Sequence, residues 1–233
     1  MKGILLCGGN GTRLQPLTLI TNKHLLAVYD RPMIDYPIKT LTDMDIDEIL
    51  VVSGREHAGA FVNYLGSGAD RGLEFTYRVQ EKAGGIAEAL GLAEKFAHGD
   101  PVAVILGDNY FSEPISRPEE NGFAYIVLKE VPDPQRFGVV DLETGFIEEK
   151  PKEPKSNLAV TGLYFYPPDV FEVVKTLKPS GRGELEITDV NNHYAREHRI
   201  GSTRYTGFWS DMGTPASLAR TVTYLEAHGH QNS

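Results

Sequence analysis

An α/β fold, with a mixed but mainly parallel sheet flanked by helices, is what this sequence predicts, and three observations predict it. Short apolar runs in the first half end abruptly in glycine or a polar residue. Segments with helical apolar spacing lie between them. The second half then turns to closely spaced strand-like runs. Alternating β and α patterns imply parallel strands with helices on both faces. Right-handed crossovers bring the carboxyl ends of such strands to one edge, where ligands bind in open α/β sheets.

The elements follow in order. "GILLC" (3–7), "EILVVS" (48–53) and "VAVILG" (102–107) are short and continuously apolar, the pattern of strands buried on both faces. Between them, Ile34, Ile38, Leu41 and Met44 fall at helical spacing, as do Ile86, Leu90, Ala93 and Ala97. "FAYIVLKEV" (123–131), "FGVVDL" (137–142), "GFIEEK" (145–150) and "NLAVTGLYFY" (157–166) read as strands, with "STRYTG" (202–207) later. One helix follows Asp169 and another runs through "EITDVNNHYAREH" (186–198). The last helix has a start signal in Thr214 as N-cap and Pro215 at the first helical position, and Leu218, Val222 and Leu225 give it an apolar face. The tail "HGHQNS" (228–233) reads as a frayed end. Without an internal repeat, low-complexity tract or linker, the expectation is one continuous domain over residues 1–233.

Composition narrows the function. A net charge of −9 with no dense Lys/Arg cluster argues against a nucleic-acid partner. Cys7 is the only cysteine, so no intramolecular disulfide can form, and its place at the end of an apolar strand suits a buried thiol. The N-terminal apolar stretch is too short for a signal peptide, and no run approaches the ~18 residues of a membrane span. A soluble cytoplasmic protein is expected.

The stretch "LLCGGNGTRLQPLT" (5–18) carries the first chemical signal. It is not a Walker A loop, because no Lys-Ser or Lys-Thr follows the glycines, and it is not a dinucleotide fingerprint, because Leu14 stands where the third glycine belongs. That weakens a nicotinamide oxidoreductase. What remains is a run of backbone amides suited to an anion, with Arg13 as a planar donor for phosphate oxygens and Lys23 as a second cation. On position as well as spacing, a triphosphate site is the better reading than solvated surface cations. Asp108 follows a buried strand at the ligand edge, and Asp211 precedes the last helix. With a phosphate loop, the pair suggests a Mg²⁺ site, since this ion takes one or two carboxylates and fills its shell with water and phosphate oxygens. Glu149 and Lys150 suit a solvated turn or a sugar-phosphate contact, and spacing leaves both open.

Taken together, "GGNGTRLQPLT", "NKHLL", "YDRPMIDYPIKTL", "VILGDNYF", "EEKP" with "AVTGLYFY", "GRGELEITDVN" and "WSDMGT" stand in the order seen in the sugar-1-phosphate nucleotidylyltransferases. The chain resembles this family over nearly its whole length, and within it the short-form members that use dTTP and glucose 1-phosphate and lack a C-terminal helical extension. The resemblance implies a Rossmann-like sheet, a mainly nucleotide-binding portion over 1–110 and a mainly sugar-phosphate-binding portion over 111–233.

It also implies roles. Leu6, Gly8, Gly9, Gly11, Thr12 and Arg13 would hold the triphosphate, with Arg13 on the departing pyrophosphate. Lys23 would bridge phosphate oxygens, and Asp108 and Asp211 would hold Mg²⁺. Lys150 would bind the sugar phosphate, and Asn109, Gly138, Glu149 and Val160 the sugar. Gln80 would read the pyrimidine edge, beside the backbone of Gly85. The implied reaction is attack by the sugar phosphate on the α-phosphorus of dTTP, giving dTDP-glucose and pyrophosphate, with UTP as the competing nucleotide. His24, near the base, stands where the family more often has glutamine. A catalytically silent relative would have lost some of Arg13, Lys23, Asp108, Lys150 and Asp211, and all are present. The resemblance allows a homo-oligomer.

Overall fold

The first-half apolar runs form parallel strands because both sides of each are covered. In the computed structural model, which describes residues 1–9, 11–119 and 121–228, strands β1 (Lys2–Cys7), β2 (Glu48–Gly54), β3 (Glu74–Gln80) and β4 (Val102–Leu106) lie in the order β4-β1-β2-β3, all parallel. Leu5 stands between Val51 and Ile105. The pleat sorts the side chains. Leu5, Cys7, Ile49, Val51, Ala103 and Ile105 enter one core, while Ile4, Leu6, Leu50, Val52, Val102 and Val104 enter the other.

Helices α1 (Asp35–Thr42) and α2 (Ala58–Leu65) cover the Leu5 face through Ile38, Leu41, Phe61 and Leu65. The Ile4 face is covered by α3 (Ile86–Gly91), α4 (Glu94–Ala97), α5 (Val170–Thr176) and α6 (Ile187–Arg196), which contribute Leu90, Ala97, Phe171, Val174, Val190 and Tyr194. The continuous helical spacing over 86–97 resolves into α3 and α4, separated at Leu92 and Ala93 just past Gly91, a poor helix residue. α5 starts after Asp169 and α6 lies within 186–198, as expected.

The second half extends the same sheet. Its strands are β5 (Ala124–Glu130), β6 (Gly138–Val140), β7 (Ile147–Glu149), β8 (Leu158–Tyr166) and β9 (Ile200–Arg204). β8, buried along its whole length, runs antiparallel to β4 and to β5, and the β6–β7 hairpin joins it where Ala159 faces Val139. β9 adds to β5 in parallel, giving a nine-stranded mixed sheet. The register of β8 against β5 shifts between Val160 and Tyr164, a bulge that matters for the site below.

Helix α7 (Pro215–His228) begins with a reciprocal cap: Ser217 N–H donates to Thr214 Oγ1 at 3.1 Å, and Thr214 N–H to Ser217 Oγ at 3.1 Å. Its Leu225 closes a small third core with Val28, Met33, Tyr36 and Met212. Residues 229–233 of the expected frayed tail lie outside the described residues. Among the described residues no helix is long and apolar enough to cross a membrane.

Candidate active site

The carboxyl ends of β1, β3 and β4 open onto a cleft of about 340 Å³. Leu6, Gly8, Gly9, Gln80, Asp108 and Asn109 line it from these strands, and Gly138, Glu149, Lys150 and Val160 line the opposite wall. Arg13, Lys23, Gly85 and Asp211 complete the rim. Fourteen of the sequence-derived site residues therefore meet in one cleft. Gly11 and Thr12 do not line it. Gly11, at φ +59°, precedes a one-turn 3₁₀ helix (Thr12–Leu14), and its carbonyl accepts from Thr18 Oγ1 at 2.9 Å, so both residues shape the loop. Asn10 lies outside the described residues.

Asp108 is presented by the sharp exit of β4 through Gly107. A Cβ on Gly107 would lie 2.7 Å from the His24 ring and 2.8 Å from Cys7 Sγ, so only glycine lets the turn carrying Lys23 and His24 pack this closely. That turn is capped by Asn22, whose Oδ1 accepts from His24 N–H at 2.9 Å. Lys23 Nζ then reaches Asp108 Oδ2 at 2.5 Å, with both side chains largely buried. Burial alone would raise the Asp108 carboxyl; the Lys23 ammonium, His24 and hydrogen bonds from Lys23 and Asn109 outweigh it and hold the group below the usual range.

His24 is buried at the cleft floor, and the same Asn22 Oδ1 that caps the turn lies 2.7 Å from its Nδ1. An oxygen already accepting the backbone N–H meets Nδ1 as a second donor, so the ring carries its proton on Nδ1 and leaves Nε2 bare. Burial, then the Lys23 charge, lower its pKa to about 3. Cys7 is fully buried, and desolvation pushes its thiol well above the usual range, in keeping with an inert residue.

Asn109 is a junction. Its Oδ1 accepts from Trp209 Nε1 at 2.7 Å and from Gly162 N–H at 3.0 Å, and its Nδ2 donates to Asp108 Oδ1 at 3.1 Å. The bulge in β8 exposes the Gly162 N–H for this purpose, and a Cβ there would lie 2.5 Å from Asn109 Nδ2. Asn109, expected as a sugar contact, thus also fixes the Asp108 carboxylate.

On the opposite wall, Thr188 Oγ1 donates to Glu149 Oε2 at 2.7 Å. Lys150 follows at φ +49°, an unfavourable backbone for a lysine, held by its N–H donating to Phe137 O at 2.9 Å. Its half-exposed ammonium lies 3.5 Å from Glu149 Oε1.

Asp211 pairs with Arg136 at 2.5 Å, and Arg136 also reaches Asp133 at 2.8 Å and stacks on Phe137 with its centre 4.9 Å away. Arg13 Nη2 and Asp211 Oδ2 lie 3.1 and 3.5 Å from where a Cβ on Gly213 would sit, so this glycine lets them share one corner. Among the described residues Arg13 has no hydrogen-bond or ion-pair partner, leaving its guanidinium available to a ligand. Arg136, Phe137 and Trp209 line the cleft but were missed by the sequence reading. The signal for Arg136 was the "DPQR" spacing, which sets Asp133 three residues before it.

Gln80 is buried at the end of β3. Its Nε2 donates to Glu88 Oε2 at 2.6 Å and lies 3.3 Å from Gly85 O. Both hydrogens of its NH₂ are thus engaged by the protein.

Among the described residues there is no cluster of three or more His, Cys, Asp or Glu side chains able to hold a metal alone. Asp108 and Asp211 nevertheless both line the cleft, which meets the modest carboxylate requirement of Mg²⁺ when water and phosphate oxygens supply the remaining ligands.

A family model described as nucleotidyl transferase matches residues 2–228. Glucose-1-phosphate thymidylyltransferase from Actinoplanes sp. is 43% identical, over 97% of this chain and 78% of that protein. The protein of the same name from Neisseria meningitidis is 41% identical, over 97% of this chain and 83% of its own. Among solved structures, a Bacillus anthracis protein assigned as a glucose-1-phosphate thymidylyltransferase, in complex with a sucrose, is 50% identical with a TM-score of 0.91, covering 96% of this chain and 94% of that one. A UDP-glucose pyrophosphorylase complexed with UDP-glucose is 25% identical with a TM-score of 0.82, covering 97% of this chain and 98% of its own.

Proposed function

The chain belongs to the nucleotidyl transferase family, and we propose that it condenses dTTP with glucose 1-phosphate to give dTDP-glucose and pyrophosphate. The observation that carries this reading is the convergence, in one cleft, of Gln80, the cations Arg13, Lys23 and Lys150, and Glu149. The 50% identical structural relative, set against the 25% identical uridylyl enzyme, favours dTTP over UTP.

A phosphate oxygen of the sugar 1-phosphate attacks the α-phosphorus in line. A new P–O bond forms as the bond to the β-phosphate bridging oxygen breaks, and the electron pair leaves with pyrophosphate. The nucleophile is already an anion, so no general base is needed and no histidine or serine has to supply one. Catalysis rests on aligning two polyanions and offsetting their repulsion. Lys150 holds the sugar phosphate beside Glu149, which accepts sugar hydroxyls. Lys23, paired with Asp108, bridges the phosphate oxygens at the reacting centre. Arg13 takes the departing pyrophosphate at the glycine loop. Asp108 and Asp211 would hold Mg²⁺, which would supply neutralisation of phosphate charge. Asn109 keeps the Asp108 carboxylate turned into the cleft. Drawing on nucleoside triphosphate pools fits a cytoplasmic location.

The test is pyrophosphate release from glucose 1-phosphate with dTTP, UTP, CTP, ATP and GTP in parallel, with and without Mg²⁺. Release with dTTP well above UTP, and only with the metal, is expected. Release with UTP alone would keep the chemistry and replace the nucleotide, and no release with any nucleotide would overturn the reading.

A further inference from the structure

The orientation of the Gln80 amide is set by chemistry. An ionised carboxylate only accepts hydrogen bonds, as does a backbone carbonyl. The end of the amide lying 2.6 Å from Glu88 Oε2 and 3.3 Å from Gly85 O must therefore be the NH₂, and both of its hydrogens are engaged. Oε1 is left on the other side, beside Gly8, where a Cβ would come within 2.8 Å of it. Gly8 and Gln80 both line the cleft, so Gln80 offers a ligand an acceptor.

Glu88 stands in the first turn of α3 and does more than hold Gln80. The same Oε2 accepts the Gly84 N–H at 3.0 Å, tying down the segment that leads to Gly85. A Cβ on Gly84 would lie 2.3 Å from that oxygen, so glycine is what allows the carboxylate to reach across.

We propose that Glu88 is a positioning residue for base selection. By holding Gln80 with its carbonyl toward the ligand, it makes the cleft favour a pyrimidine whose ring N3 carries a hydrogen, thymine or uracil, over cytosine, whose N3 presents a lone pair. With its N3 against Oε1, cytosine would set lone pair against lone pair at a buried amide, leaving that acceptor unpaired. This rests on the nucleotidyl-transfer reading given above. A purely structural Glu88, bracing the start of α3, would act on all nucleotides alike.

The experiment compares kcat/KM for dTTP and dCTP with glucose 1-phosphate in wild type, Glu88→Gln and Glu88→Ala, with a thermal melt of each protein. Glu88→Gln keeps the shape of the side chain and pairs with Gln80 in either orientation; Glu88→Ala removes the constraint. In both, the dTTP-to-dCTP ratio is expected to fall by about 10- to 100-fold, the range that one unpaired buried polar group gives. A ratio within about twofold of wild type in both variants, with the two rates falling together, overturns the proposal alone. A wild type that uses neither dTTP nor UTP overturns the transferase reading, and the proposal with it.

Discussion

His24 offers a quantitative test of how the cleft floor is built. Its ring is buried, donates from Nδ1 to Asn22 and has a pKa lowered to about 3 by burial and by Lys23. In the unfolded chain the same ring returns to an ordinary value near 6.5. Between those values the unfolded state binds a proton that the native state does not, so stability falls as pH drops below about 6.5. Each pH unit in that window is worth about 1.4 kcal/mol, so moving to pH 5 costs about 2 kcal/mol from this residue. The perturbation is His24→Gln, which removes the titrating group. Urea denaturation of both proteins at pH 7.5 and 5.0 isolates the effect, because the other histidines are common to both. The wild type is expected to lose about 2 kcal/mol more than the variant over that interval. Parallel losses would refute the assignment of a buried, neutral His24.

Other consequences are equally open to measurement. Asp108→Asn is expected to slow pyrophosphate release by about 10²–10³-fold with folding intact, by analogy with loss of one transition-state donor; near wild-type turnover in the folded variant would remove Asp108 from the site. Asn109→Ala strands the Trp209 Nε1–H and the Gly162 N–H, so a loss of about 1–3 kcal/mol in urea denaturation is expected. Trp209 is the sole tryptophan, so its emission should shift as well, and unchanged stability and emission would contradict the junction role. Cys7 should resist a disulfide thiol reagent at pH 8 in the native protein and react fully once unfolded, whereas fast native reaction would contradict its burial.

How much of this could be read from the sequence depends on the range over which each feature is determined. Strands β1, β2 and β4 were legible because a strand buried on both faces needs an unbroken apolar run, which local composition records. The end of β4 placed Asp108 at the ligand edge for the same reason. β3 was not read, although its alternation of Glu74, Thr76 and Arg78 with Phe75, Tyr77 and Val79 is the period-two pattern of a half-buried edge strand. α2 was missed as well, a short helix over "AGAFVNYL" with a glycine in its first turn. In the site, the motif residues were legible one by one and their partnerships were not. Arg136 meets Asp211 across 75 residues of chain, and Lys23 meets Asp108 across 85. The Gln80–Glu88 contact is closer in sequence, yet it depends on Gly84 and Gly85 turning the chain back, which residue types alone do not reveal.

A crystal structure with dTDP-glucose and Mg²⁺ would show most directly where the product binds. The base is expected at Gln80 and Gly85, the diphosphate between Lys23 and Lys150, and the glucose against Glu149 and Val160. Product seated instead in the separate cavity of about 380 Å³ between Tyr36, Tyr110 and Tyr224, with this cleft empty, would contradict that placement.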